Sequence, residues 1–186
     1  MRDSLRNTKG VLLVNILIVY ATYGGVTKQC AEMLAAHLNE WHKITLVNAR
    51  DEKIPSPNGF DVVVLGSAIR MENMSKQIKK YVKENLNVLN EMPCAVYFCC
   101  GLTKLFVEYS ETLLPRRFVP SLGFHLFGGE LKPDKLSGLD KLMVRVMRSS
   151  IRSQDFEEDD SDHHELPEII PENITLLAKE IRLLEK

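Results

Sequence analysis

The sequence predicts an α/β domain: a three-layer, doubly wound sheet of five parallel strands in the order 2-1-3-4-5. Short apolar runs alternate along the chain with longer stretches of helical periodicity. The runs are apolar throughout rather than at every second residue, as strands covered on both faces by crossover helices require. The first run leads directly into a loop rich in glycine and hydroxyl groups and then into an amphipathic helix, the arrangement found where such sheets bind ligands.

Each element follows from its residues. Asn15 to Tyr20 (NILIVY) reads as strand 1. Residues 27 to 41 place Cys30, Met33, Leu34 and Leu38 at helical spacing, giving helix 1. Lys43 to Asn48 reads as strand 2, and Phe60 to Gly66 as strand 3 after a turn-rich link through Pro55, Pro57 and Gly59. Ser75 to Leu89 carries Ile78, Tyr81, Val82, Leu86 and Leu89 at helical intervals, and Pro93 opens strand 4 at Cys94 to Cys100. Residues 107 to 118 are weakly helical and broken by Pro115, and Gly123 to Gly129 reads as strand 5. Two helices follow, Leu139 to Arg152 and Glu172 to Leu184, separated by the acidic stretch Asp155 to Asp162. A dinucleotide-binding sheet requires G-x-G-x-x-G after strand 1 and a P-loop requires Gly-Lys-Ser/Thr; neither is present, which leaves the order 2-1-3-4-5.

Composition sets the outer bounds. A chain of 186 residues, 45% hydrophobic and 26% charged, has enough apolar side chains for a full core. Residues 1 to 10 read as a flexible leader and residues 11 to 186 as a single domain. A net charge of -1 gives no electrostatic reason for a nucleic-acid partner. The four cysteines form no C-x-x-C pair, which suits a reduced, cytoplasmic setting. The run Val11 to Val19 is too short to cross a bilayer.

The chemistry concentrates in Ala21-Thr22-Tyr23-Gly24-Gly25-Val26-Thr27. Glycines turn successive N–H groups inward, and a helix start adds uncompensated donors and a favourable dipole, so the loop is a cradle for a phosphate held by neutral groups. A plain turn with Thr27 as helix cap accounts for the threonine and one glycine but not for the cluster.

This loop, Y-A-T-Y-G-G-V-T before a helix, resembles the FMN phosphate loop of the flavodoxin superfamily. Gly66-Ser-Ala-Ile-Arg70, Gly128-Gly-Glu-Leu-Lys132 and the helix Leu139 to Met147 are similar to segments of the flavodoxin-type, menaquinone-dependent protoporphyrinogen oxidases, in order over roughly residues 14 to 185. Two positions depart from that family: Met71-Glu72-Asn73 stands where it has Tyr-Gly-His, and Gly24 where it often has Asp.

The resemblance implies a flavodoxin-like fold binding one FMN, the phosphate on Thr22, Tyr23, Gly24, Gly25, Val26 and Thr27. The ring would lie on Ser67, Ala68, Ile69 and Arg70 after strand 3 and on Cys100, Gly101 and Leu102 after strand 4. It further implies oxidation of a reduced tetrapyrrole with electrons passed to a quinone. An electron carrier serving a redox partner protein, an NAD(P)H-dependent quinone reductase and a scaffold without flavin are the alternatives. Met71, Met74, Leu102 and Phe106 are candidates for apolar ring contacts, with ordinary packing the plainer role for the methionines. Arg70 suits a flavin carbonyl, a substrate carboxylate or the semiquinone anion, or a surface ion pair with Glu72 or another acid. Cys99 and Cys100 are adjacent in a strand and so face opposite ways, which reads as packing rather than as a working dithiol.

Leu139 to Arg152 is a basic amphipathic helix that suits peripheral contact with the inner face of a cell membrane; covering the chain's own sheet or a homodimer partner is the preferred use. Asp162-His-His-Glu165 has metal-capable side chains, but consecutive residues rarely converge on one ion, and no metal is expected.

Overall fold

A computed structural model describes residues 13–40, 42–101, 103–129 and 168–184. The expected helix Leu139 to Arg152, the acidic stretch Asp155 to Asp162 and the Asp162 to Glu165 segment lie outside these residues, as do Trp41 and Leu102.

The strands are β1 (Asn15–Ala21), β2 (Lys43–Asn48), β3 (Val62–Ala68), β4 (Cys94–Cys99) and β5 (Phe124–Leu126). They form one parallel sheet in the order β2-β1-β3-β4-β5, as expected. Between them run α1 (Val26–Leu38), α2 (Lys76–Glu84), α3 (Leu86–Glu91) and α4 (Phe106–Thr112), and α5 (Pro171–Leu183) closes the described chain. The register places Ala21 beside Ser67 and Ala68 beside Cys99, so β1, β3 and β4 end side by side.

Two apolar layers flank the sheet. On one face Leu17, Val19, Val63, Leu65, Val96 and Phe98 pack with Ile78 and Val82 of α2, Leu89 of α3 and Tyr109 of α4. On the other, Ile16, Ile18, Val62, Val64 and Tyr97 pack with Cys30, Leu34 and Leu38 of α1 and Ile174, Leu177 and Ile181 of α5. The alternation along each strand is the period of two expected for a sheet buried on both sides.

Several boundaries differ from the sequence expectation. Strand 3 begins at Val62, because Phe60 closes the short turn Pro57–Gly59 and the Asp61 carboxylate accepts the Asn15 N–H at 2.9 Å. The single helix expected over Ser75 to Leu89 is broken at Asn85, whose side-chain amide donates to the Tyr81 carbonyl at 2.9 Å; side chains of this type compete with the helical backbone. Strand 5 is three residues long rather than seven, and Gly128, at φ 73°, turns the chain into an antiparallel bridge with Ile169.

Candidate functional site

The carboxyl ends of β1, β3 and β4 carry the expected loops. Helix α1 starts one residue earlier than Thr27, with Gly25 at the cap position in the left-handed region (φ 93°). No side chain caps this helix and its first turn holds no acid, so the N–H groups there are not claimed by side-chain acceptors. Thr22 closes the loop from inside, its hydroxyl accepting the Gly25 N–H at 2.9 Å. A methyl group placed on Gly24 or Gly25 would meet nothing within 4 Å, so the glycines border open space. Gly25 is needed for its backbone angle, since a side chain there would be strained. Tyr23 is 53% exposed at the rim.

Thr27 behaves differently from the expectation. It is 1% exposed, and its hydroxyl is buried without a partner at hydrogen-bond geometry. The hydroxyl lies on the side of the Cys99 thiol, where it eases deprotonation slightly. That effect is outweighed by the thiol's hydrogen bond with Cys30 and by burial, which together push its pKa well up. The two sulfurs, Cys99 Sγ and Cys30 Sγ, stand 3.7 Å apart. Cys99 and Cys100 face opposite core layers, as strand geometry requires, and the cysteine pair the fold brings together is one that sequence adjacency does not reveal.

A buttress below the loop also escapes sequence reading. Tyr97 of β4 is fully buried and stacks on Phe127, with ring centroids 4.5 Å apart, and its hydroxyl donates to the Thr27 carbonyl at 2.9 Å. It passes directly over Gly66 of β3, where a β-carbon would fall 2.0 Å from the ring. Burial pushes the Tyr97 pKa well up, so its proton stays on the donor.

The loop after β3 is tied down by its own side chains. The buried Ser67 hydroxyl donates to the Ala68 carbonyl at 3.0 Å and accepts the Ser75 N–H at 2.9 Å, which commits it to structure. The Ile69 N–H donates to the Cys99 carbonyl at 2.9 Å. Arg70 and Asn73 exchange backbone hydrogen bonds of 2.9 and 3.1 Å around a tight turn. Met71 (φ 51°) and Glu72 (φ 55°) are both left-handed, the pattern of a type I′ turn, without either residue being Gly or Asn. Such backbone strain in non-glycine residues collects at functional sites.

Of the candidates for apolar ring contact, Met74 is buried in the core and Phe106 packs edge-on against Phe98 at 6.3 Å, so both serve the interior. Met71 is exposed at the turn. Cys100 is buried and Gly101 half-buried after β4.

Sequence reading singled out Arg70 but not Arg50. The Arg50 guanidinium donates to the Thr22 carbonyl at 2.9 Å and lies 4.0 Å from the centre of the Tyr23 ring. Arg70 reaches the same ring from the other loop, at 5.2 Å. No signal in the sequence links residues 50 and 23; only the pairing of β1 with β2 brings their loops together.

Among the described residues no cluster of His, Cys, Asp and Glu could hold a metal, and no helix is long and apolar enough to cross a membrane.

Comparison with known proteins agrees with this geometry. A flavodoxin-domain family model matches residues 17–158. Protoporphyrinogen IX dehydrogenase [quinone] of Escherichia coli is 32% identical over 82 residues, which are 44% of this chain and 45% of that protein. The match thus spans less than half the length of the curated relatives. Among solved structures, a short-chain flavodoxin associated with a PDU bacterial microcompartment superimposes with a TM-score of 0.55 at 13% identity, over 94% of this chain and 100% of that one. A flavodoxin of Fusobacterium nucleatum bound to flavin mononucleotide has a TM-score of 0.47 at 12% identity, over 94% and 100% of the two chains.

Proposed function

The chain belongs to the flavodoxin-domain family, and on that premise we propose that it binds one FMN where β1, β3 and β4 end and serves as a redox protein through it. The observation that carries this reading is the uncapped start of α1, with Gly25 left-handed and open space beside both glycines. Backbone donors of Gly24, Val26 and Thr27 hold the phosphate there without a lysine. The Thr27 hydroxyl, buried without a partner, joins them by rotation about χ1. Residues 67–70, with Cys100, Gly101 and Leu102, border the ring and offer backbone groups to its polar edge. When bound, FMN supplies one- and two-electron exchange, and the protein supplies position and electrostatics.

At the finer level the donor is protoporphyrinogen and the acceptor a quinone. The partial similarity to the Escherichia coli dehydrogenase supports this. The basic, amphipathic sequence pattern of Leu139 to Arg152 suits contact with a membrane that holds a dissolved quinone. A second reading, an electron carrier that docks on a redox partner protein, is favoured by the turn at Met71-Glu72, which departs from the aromatic-glycine pair of the oxidase family.

Calorimetric titration of the apo chain with FMN and riboflavin tests the cofactor; no heat of FMN binding sinks the reading. Anaerobic mixing of the FMN-loaded chain with protoporphyrinogen, and separately with NADH and NADPH, then assigns the donor. Bleaching of flavin absorbance by the tetrapyrrole alone is expected. Bleaching by a nicotinamide makes the chain a quinone reductase, and none by any of the three favours the carrier.

A further inference from the structure

The loop that follows β1 is gripped from outside by a residue of another strand's loop. The Arg50 guanidinium donates to the Thr22 carbonyl at 2.9 Å and lies 4.0 Å from the centre of the Tyr23 ring, whose electron-rich face attracts it. Thr22 in turn accepts the Gly25 N–H at 2.9 Å, so one exposed arginine is joined through a single residue to the left-handed glycine that opens α1. A guanidinium carries five N–H donors in a rigid fork, and the bond to Thr22 uses one of them.

Arg50 stands on a built mount. The Ala49 N–H donates to the Tyr20 carbonyl at 2.8 Å, which fastens the end of β2 to β1. Asn48 then organises the turn: its carbonyl accepts the Asp51 and Glu52 N–H groups at 3.1 and 2.9 Å, and its side-chain oxygen accepts the Arg50 N–H at 3.3 Å. The two acids beside Arg50 are tied to the same residue, Asp51 accepting the Asn48 side-chain amide at 2.5 Å and Glu52 the Asn48 N–H at 2.9 Å.

The electrostatics of the loop call for such a cation. Burial first, and then the charges of Glu32, Glu52 and Asp51, raise the pKa of Tyr20 at the end of β1. A phosphate arriving two residues further on meets the same acids. Lys28 is turned to Glu32, 3.6 Å away on the next turn of α1. Arg50 is the cation that is held on the loop itself.

We infer that Arg50 is the charged member of the phosphate cradle. From the turn after β2 it holds Thr22 and Tyr23 in place, and it gives the site its preference for a flavin that carries a phosphate over one that does not. The inference deepens the proposed function and rests on it, adding a positioning residue to a cradle otherwise made of neutral donors. A fixed fork favours a dianion both by charge and by keeping the neighbouring backbone donors aimed.

The test titrates the full apo chain with FMN and with riboflavin in the calorimeter, at low and at raised salt. Arg50→Gln is expected to lower the ratio of FMN to riboflavin affinity about fivefold, with riboflavin affinity changed less than about twofold. Arg50→Lys, which keeps the charge and loses the fork, should retain more of the ratio than Arg50→Gln. Raised salt should weaken FMN binding more in the wild type than in Arg50→Gln. Arg50 is exposed, so both variants should keep the wild-type urea midpoint to within experimental error. A ratio unchanged in Arg50→Gln overturns the inference while the proposed function stands. So does an equal loss of both flavins, which would make the arginine a structural tie, and so does Arg50→Lys falling as far as Arg50→Gln. A wild type that takes up no FMN overturns the proposed function and the inference together.

Discussion

At the scale of single residues, the site holds two side chains that sit badly with their surroundings. Glu72 is left-handed in a tight turn, a conformation that costs an L-residue about 1–2 kcal/mol and glycine nothing. Glu72→Gly should therefore stabilise the fold by about 1 kcal/mol, net of the unfolded chain's gain in freedom, as read from the urea midpoint. Thr27 buries a hydroxyl without a partner, and valine has the same shape without the polar atom. Thr27→Val should leave the apo chain as stable or about 1 kcal/mol more so, while weakening FMN binding about tenfold; unchanged affinity in calorimetry would show that the hydroxyl never turns to the phosphate. The cluster of residues 22–27 was readable because glycine and hydroxyl residues after a buried strand have few other uses. The inward turn of Thr27 was not, since it faces Cys99 of β4, a neighbour that only the folded chain brings beside it. Arg50 was unreadable for the same reason: its role comes from a neighbour strand and not from its own segment.

At the scale of elements, the strand-by-strand register was legible and the helix boundaries less so. Continuous apolar runs can only be strands covered on both faces, whereas the break between α2 and α3 turns on one side chain, Asn85, capturing the Tyr81 carbonyl. The contact between Gly66 and Tyr97 was hidden because β3 and β4 meet there only once the register is set. Removing the hydroxyl tests how much it supports. Tyr97→Phe should cost about 1–2 kcal/mol in denaturant unfolding, since the Thr27 carbonyl loses a buried donor, and should weaken FMN binding while leaving the far-ultraviolet circular dichroism unchanged. A cost confined to stability, with affinity intact, would mean that the strut and the cradle are uncoupled.

At the scale of the molecule, the core contains titratable groups that favour their neutral forms. Burial pushes the Cys94 thiol up to about 12 and raises the Tyr81 and Tyr97 phenols as well. Each folded-state pKa lies above its unfolded value, so the folded chain retains protons that the unfolded chain has shed. Stability is thus fully present below about pH 8.5, the ordinary thiol range, and is lost as pH rises towards 12. Unfolding free energy measured from pH 8 to 11 should fall with a slope approaching about 1.4 kcal/mol per pH unit for each titrating group. Cys94→Ala should flatten the part of that slope between pH 9 and 11, and an unaltered profile would assign the loss to the Cys99 thiol and the phenols.

The tyrosine wedged over Gly66 has a consequence for how a ligand arrives. A cradle propped from beneath before its guest appears spends little ordering entropy on capture, so association should run close to the rate of diffusive encounter. Selectivity among mononucleotides would then be written in residence time, with a poor fit leaving quickly and a good one lingering.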